Sequence, residues 1–337
     1  MKTKFGHFED WLRRQGYTVI QTASSHWVEY GPHVFQAIPF HQLISPSEEE
    51  LTDLLRKEKA IALRYSTPLD AGVGSLSYHV VYESNHYSQQ EIHKKARHDV
   101  TKGLSVAAIE PIPLARLAEE GWAIRLDTLK RQGRTGAETR AGWEKLCLFA
   151  MGLANFEAWG AIVQGRLVAA LLAYVYEDNY SILYQQSLTD YLHYGVNNAL
   201  TYVVTADVVK RPGPLHLFYG LQSLDARESV DKYKFRMGYT AKAVRQRVVF
   251  NPMIAPFINR LTYAGVKAVN QVFPGNNFNS KTGGMLNFYL QGKRPLAGQN
   301  WPEVLLNQKE AIMAQSRSDG TNSMPSGRQT PAVYLRR

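Results

Sequence analysis

Among 337 residues the sequence has one cysteine, Cys147. A disulfide within the chain is therefore excluded, Cys-x-x-Cys metal or redox chemistry is absent, and a reducing compartment is expected. Cys147 stands in the apolar run Leu146-Cys147-Leu148-Phe149, so it is expected to be a buried small hydrophobe rather than a nucleophile. Long apolar runs are also missing. The longest, Leu167 to Tyr176, reaches about half the length that a membrane-crossing helix needs and reads as a buried strand. Met1 to Trp11 is polar and lacks the apolar core of a secretory signal. No Walker loop, His-Glu-x-x-His or Gly-x-Ser-x-Gly occurs, and no repeat at solenoid periods is visible. The histidines His26, His33, His41, His79, His86, His93 and His98 are scattered without ligand spacing, so no metal is expected.

What is present is ordinary globular composition with a basic balance. Hydrophobic residues make up 45% and charged residues 20%, enough to bury a core in roughly two packed units. The formal charge of +10 is dispersed and includes Arg317, Arg328, Arg336 and Arg337 near the end. It suits attraction of an anionic ligand such as a phosphate-bearing cofactor better than a dedicated nucleic-acid groove.

The local patterns predict α/β (α+β) structure in two halves. In residues 1–132, helices are expected at Phe8 to Gln15, from Ser45-Pro46 to Glu58 and from the capping-box spacing Ser88–Glu91 to Gly103. Strands are expected between them, and a strand at Leu104 to Ile109 follows. Residues 138–250 read as a helix at Glu138 to Gly152 and a three-strand meander, Glu157 to Val163, Leu167 to Tyr176 and Tyr180 to Ser187. A helix at Val196 to Val209, a strand at Leu215 to Tyr219, a helix at Ser229 to Met237 and a strand at Ala243 to Phe250 complete that half. Each half is thus a mixed, largely antiparallel sheet flanked by helices. Residues 251–295 read as a helical extension, and 296–337, rich in Gly, Ser, Asn, Pro and Gln, as a disordered tail.

Two stretches carry a family resemblance. Tyr219-Gly220-Leu221-Gln222-Ser223-Leu224, followed by Val230-Asp231-Lys232-Tyr233-Lys234-Phe235-Arg236-Met237-Gly238-Tyr239, is a strand, a glycine turn and a basic aromatic helix end. Lys94-Lys95-Ala96-Arg97-His98-Asp99-Val100-Thr101-Lys102-Gly103-Leu104 is a basic helix late in the first half. Together with the element order these resemble the GNAT-like acyltransferases, specifically their Fem-like branch, often built from two GNAT-like halves. The resemblance implies that two neighbouring strands, here Tyr180 to Ser187 and Leu215 to Tyr219, splay apart to admit the donor.

The same resemblance implies a site. The donor would lie along Gln186 and Ser187 and reach the helix start formed by His193, Tyr194, Gly195, Asn197 and Asn198, where helix-start amides favour an anion. Asn197 stands where the family's phosphate loop has a second small residue. Tyr219 or Tyr184 would serve as acid, Asp225 or Glu228 as base, and Lys234 would bind phosphate or steady the oxyanion. Arg97 and Lys102 would hold an anionic acceptor between the halves.

The implied function is a cytoplasmic N-acyltransferase that passes an acyl group from an acyl thioester, acyl-CoA as co-substrate, to a small-molecule or peptide-like amine by direct attack in a ternary complex. Two alternatives stand beside it: a Fem-like transferase whose donor is aminoacyl-tRNA, and a non-catalytic binding or scaffold protein on a degenerate acyltransferase fold.

Overall fold

In a computed structural model of the chain, residues 6–134, 138–213, 216–223, 229–272 and 277–318 are described. The first half contributes α1 (Gly6–Arg14), β1 (Val19–Gln21), β2 (His26–Gly31), β3 (Val34–Ile38), α2 (Glu48–Lys57), β4 (Ala62–Thr67) and β5 (Ser75–Tyr82). It continues with α3 (Lys94–Val106), β6 (Ala108–Pro111) and α4 (Leu114–Arg131). The second half supplies α5 (Arg140–Ala150), β7 (Phe156–Val163), β8 (Arg166–Tyr176), β9 (Asn179–Ser187), a one-turn α6 (Thr189–Leu192) and α7 (Val196–Lys210). Then come β10 (His216–Leu221), α8 (Ser229–Arg236), β11 (Thr240–Phe250), α9 (Arg260–Val272), α10 (Asn277–Gly292) and α11 (Lys309–Ser318).

The strands of the described residues join one sheet in the order β1-β2-β3-β4-β11-β5-β10-β9-β8-β7-β6. The halves are interlocked in it. β11, last in sequence, runs antiparallel between β4 and β5, while β6 pairs with β7 at the far edge. Helix α1 also crosses over. Its Phe8, Trp11 and Leu12, spaced to share one helix face, are buried in the second half's core, and Trp11 Nε1 donates to the Leu146 carbonyl at 2.8 Å. Burial of each such side chain contributes about 1.5–3 kcal/mol.

The α3–α7 crossing depends on two glycines. A Cβ on Gly103 would lie 2.5 Å from the Gly195 carbonyl oxygen, and one on Gly195 would lie 2.1 Å from that of Asp99. Gly195 caps α7 at φ 77°, a left-handed conformation that favours glycine. Gly103 therefore does not close its helix as its local sequence suggests. The helix runs through it to Val106, because the missing side chain is needed for close approach, and the following strand is correspondingly short. The Ser88–Glu91 box also shifts. Glu91 Oε2 accepts from the Ser88 N–H and hydroxyl within a turn, each at 2.7 Å, while His93 caps α3.

The reading of 296–337 as one disordered tail is corrected for its first part. Residues 296–318 carry 3-10 turns and α11, and bury Leu296, Leu305 and Ile312 in the main core. These sparse apolar anchors are hidden by a polar composition. Residues from 319 onward lie outside the described set.

On the first half's sheet, burial depresses His79 to about 3, helped by nearby His41, Lys242 and Arg64, and His41 to about 4. Both rings are neutral when folded, and the Ser66 hydroxyl shares a hydrogen bond with His79 Nε2 at 2.8 Å. The unfolded chain protonates these rings near pH 6.5 while the folded chain does not, so stability is lost as pH falls from about 6.5 toward 4. His79→Gln is expected to flatten that acid slope, read as melting temperature against pH. At the helix crossing, Gly103→Ala should cost roughly 3 kcal/mol or more, read as a lowered urea midpoint, because backbone lies in the way. Gly265→Ala in α9, where a new Cβ meets nothing within 4 Å, should be neutral or stabilise by about 0.5–1 kcal/mol.

Candidate functional site

Strands β9 and β10 are a parallel pair, as β3 and β4 are in the first half, and their pairing is short. It runs through His216↔Asn179, Leu217↔Tyr180 and Phe218↔Ser181, then ends. Beyond the last rung each strand bulges on its other side. Leu183 is the extra residue where Ala173↔Ile182 gives way to Leu172↔Tyr184, and Tyr219 is the extra residue between Phe218↔Val81 and Gly220↔Val80. A bulge bends its strand and re-aims side chains. Two of them, level with each other, open the sheet into the splay expected from the sequence.

The opening holds a cavity of ≈ 250 Å³. Its walls are Ile182, Leu183, Gln185, Gln186 and Ser187 of β9, Tyr219 of β10, Asn197 of α7, and Tyr233 and Lys234 of α8. Thr128, Arg131 and Gln132 close it from the end of α4, and Leu192 from α6. None of these lining residues is a carboxylate.

Gln185 organises the interior. It accepts from the Tyr219 hydroxyl, while its Nε2 donates to Asn197 Oδ1 at 2.9 Å and Thr201 Oγ1 at 2.7 Å. The Tyr233 hydroxyl donates to the Asn197 carbonyl at 2.9 Å. Burial raises the Tyr219 phenol well above its ordinary range, with Tyr233 and Tyr239 adding to the effect, and pushes Tyr233 up to about 12. Both are therefore neutral hydrogen-bonding groups near neutral pH.

Lys234 brings the charge. Its Nζ lies 3.0 Å from Asp231 Oδ1 and 5.0 Å from the centre of the Tyr219 ring. Asp231 in turn accepts from the Tyr78 hydroxyl of β5 at 2.7 Å. A strand of the first half thus fixes the counterion of a cation in the second. At the other end Arg131 Nη1 donates to Thr189 Oγ1 at 2.8 Å and to the Ser187 carbonyl at 3.2 Å.

The structure therefore brings Tyr219, Lys234, Gln186, Ser187 and Asn197 together around one cavity. Gln186 is almost fully buried, and its Oε1 has no hydrogen-bond partner among the described residues. The other residues named from the sequence lie elsewhere. Tyr184 packs edge-on to Trp143, with the Arg125 guanidinium 5.0 Å from its ring, away from the cavity lining. Gly195 abuts Asp99 in the helix crossing, and Asn198 donates from Nδ2 to Met237 Sδ at 3.5 Å. His193 and Tyr194 meet α3 instead. The His193 carbonyl accepts from Lys102 Nζ at 2.8 Å, and that ammonium lies 5.5 Å from the centre of the Tyr194 ring. Arg97 is tied to the carbonyls of Ile92 and Gln90 beside its own helix. Asp225 and Glu228 lie outside the described residues.

Sequence reasoning missed Arg131, Thr128, Gln185 and Tyr233. Gln185 and Tyr233 had a local signal, each being the immediate neighbour of a residue already named, Gln186 and Lys234. Arg131 and Thr128 arrive from a helix more than fifty residues earlier and carry no local mark. Cys147 is fully buried and its thiol is pushed up to about 12 by burial, which fits the expected hydrophobe. Among the described residues no cluster of His, Cys, Asp or Glu could hold a metal ion, and no helix is long and apolar enough to cross a membrane.

No protein-family model matches the sequence, and no curated protein matches it. Solved structures do. The crystal structure of FemX superposes with a TM-score of 0.52 at 9% identity, over 74% of this chain and 92% of that one. Two others fall below a TM-score of 0.5. One is the C-terminal domain of a lysylphosphatidylglycerol synthetase homologue from Agrobacterium fabrum, at 0.48 and 12% identity over 72% and 87% of the two chains. The other is a GCN5-related N-acetyltransferase from Kribbella flavida, at 0.42 and 12% identity over 75% and 97%. With its parted strands, the chain has a fold like that of FemX.

Proposed function

We propose that this protein is a transferase that moves an acyl group from an activated donor to an amine by direct attack while both are bound. The observation that carries the reading is the parting of β9 and β10 around a polar cavity that holds Tyr219 and Lys234. A donor arm laid in that gap would meet strand edges on both sides, as an added strand does.

Attack of the amine nitrogen on the donor carbonyl forms a C–N bond and places negative charge on the carbonyl oxygen. Lys234 supplies the compensating charge, held in place by Asp231 so that it does not reorganise during reaction. Collapse breaks the bond to the leaving atom. The Tyr219 hydroxyl, neutral through burial, donates to that atom and lets go of Gln185 to do so. The surplus ammonium proton must go to a base. With no carboxylate in the lining described, Asp225 or Glu228, in the segment between β10 and α8, takes that role.

For the donor, acyl-CoA is the first reading and aminoacyl-tRNA the second. A specific arrangement favours weighing the second. The first amide of α6, Thr189 N–H, already donates to Asp127 Oδ2 at 2.5 Å, and the Gly195 N–H donates to the Leu192 carbonyl at 3.0 Å. An anion approaching the β9–α7 connection therefore meets a carboxylate beside Arg131.

Lys234→Ala is expected to lower turnover at least about tenfold with an unchanged cooperative melt, since loss of one oxyanion partner costs about 10²–10³ in well-characterised cases. Wild-type activity in that variant would remove Lys234 from the mechanism. Tyr219→Phe should lower kcat at neutral pH by about tenfold while leaving the shape of the profile between about pH 6 and 9 unchanged, because this phenol does not ionise there. Coenzyme A or acyl-CoA should raise the melting temperature under the first donor reading. Absence of that shift, together with salt-sensitive tRNA binding, decides for the second.

A further inference from the structure

From 251 to 302 the only charged residues are Arg260, Lys267, Lys281, Lys293 and Arg294, and the flanking acids are Asp231 and Glu303. This acid-free stretch includes the turn after β11 and both α9 and α10. It also contains the most exposed large apolar side chains of the described residues. Met253 is 83% exposed, Phe257 70% and Leu261 82%, and Val269 follows at 45%.

These exposures do not reflect a segment that has come loose. Ile258 is buried with Phe250, Met285, Leu286 and Phe288, and Tyr263 and Val266 of α9 pack against the same cluster. The outward face of α9 is set by that anchoring. At ~100° per residue, Leu261, Gly265, Ala268 and Val269 share the face opposite Tyr263. Arg260 and Lys267, seven residues apart, run along one flank of it. Met253 and Phe257 stand in the turn that leads into the helix. A water-facing apolar face with cations alongside and no anion is the pattern of a helix lying in a membrane surface.

We infer that this face docks on an anionic lipid bilayer. Met253, Phe257 and Leu261 enter the boundary between headgroups and acyl chains, and Arg260 and Lys267 sit against lipid phosphates. The contact is peripheral, since no helix among the described residues is long and apolar enough to cross. Charge selects this occupant over a second copy of the chain. A two-fold interface through this face would set the same uncompensated cations near one another. Nucleic acid would use the cations but leave Met253, Phe257 and Leu261 without a partner. The inference does not depend on the transfer reaction proposed above.

The test is flotation of the full-length protein with vesicles of pure phosphatidylcholine and of equimolar phosphatidylcholine and phosphatidylglycerol. Wild type should float with the anionic vesicles and remain behind with the neutral ones. The F257S/L261S double variant should lose at least about tenfold in partition coefficient. R260Q/K267Q should lose roughly thirtyfold, the equivalent of about 1 kcal/mol for each charge removed near the surface. All four positions are on the surface, and cooperative melting at the wild-type temperature verifies that each variant is folded. Equal partition of wild type and both variants would overturn the assignment, as would failure of wild type to float with anionic vesicles. A concentration-dependent dimer seen by light scattering and abolished by F257S/L261S, with no vesicle binding, would give the face to a second copy instead.

Discussion

The close approach of the backbones of α3 and α7 constrains what surrounds it. Because the carbonyl of Asp99 occupies the space where a side chain on residue 195 would be, and the carbonyl of Gly195 does the same for residue 103, the two helices sit nearer than any side chain permits. That contact fixes the start of α7, and so the path of the short connection from β9. β9 itself stays paired with β8 as far as Ser187, well past the last of its three rungs with β10 at Ser181. The bulges at Leu183 and Tyr219 open the sheet, and the helix crossing fixes where the chain beyond β9 resumes as α7. Val100 and Ala96 of α3 and Val196 and Leu200 of α7 lie in the same buried cluster, so packing reinforces the crossing on both sides.

The cavity's electrostatics follow a consistent plan. Cations line it, Lys234 at one end and Arg131 at the other, and their counterions stand one step back. Asp231 is held by Tyr78, and Asp127 spans Arg131 and the first amide of α6. Between them, amides and phenols form a neutral network in which Gln185 uses both ends of its side chain. A low-polarity surround strengthens each fixed dipole and keeps the phenols protonated. Such an interior is ready for negative charge that appears only briefly.

Much of the architecture was legible in the sequence for identifiable reasons. The meander β7–β8–β9 announces itself by the continuous apolar run of β8 and by Gln164-Gly165, both residues at positive φ as a tight hairpin requires. The strand-to-glycine turn after Tyr219 and the helix bearing Lys234 were readable because the atoms concerned are neighbours in the chain. What escaped was long-range. Gly103 reads as a helix stop by every local rule, and only a partner ninety residues away makes it a helix interior. Tyr184 and Tyr219 are both tyrosines near strand ends, yet the bulge at Leu183 is what decides which face of β9 each residue after it presents. Register at a bulge is a property of paired strands and leaves no trace in one strand's composition. The folding of residues 296–318 was hidden for a related reason, since three apolar anchors suffice when the rest of the molecule supplies the groove.

The place of β11 has a bearing on how the chain reaches this state. Arg64 of β4 and Gln246 of β11 hydrogen-bond across 182 residues of sequence. As synthesis proceeds from the amino terminus, β4 and β5 emerge early, and both wait with unsatisfied edges until the last strand is available to slide between them. Premature zippering of those two edges would form a compact but wrong sheet, and undoing it would require breaking a full ladder. The charged Lys242, Arg245 and Arg247 on the late strand favour β11 as the arriving partner. Lys242 meets Glu83 and Arg247 meets Glu48, both contributed by the first half. The protein's architecture thus assigns its carboxyl-terminal half the task of completing its amino-terminal one, and a nascent chain halted before β11 is an open template rather than a finished domain.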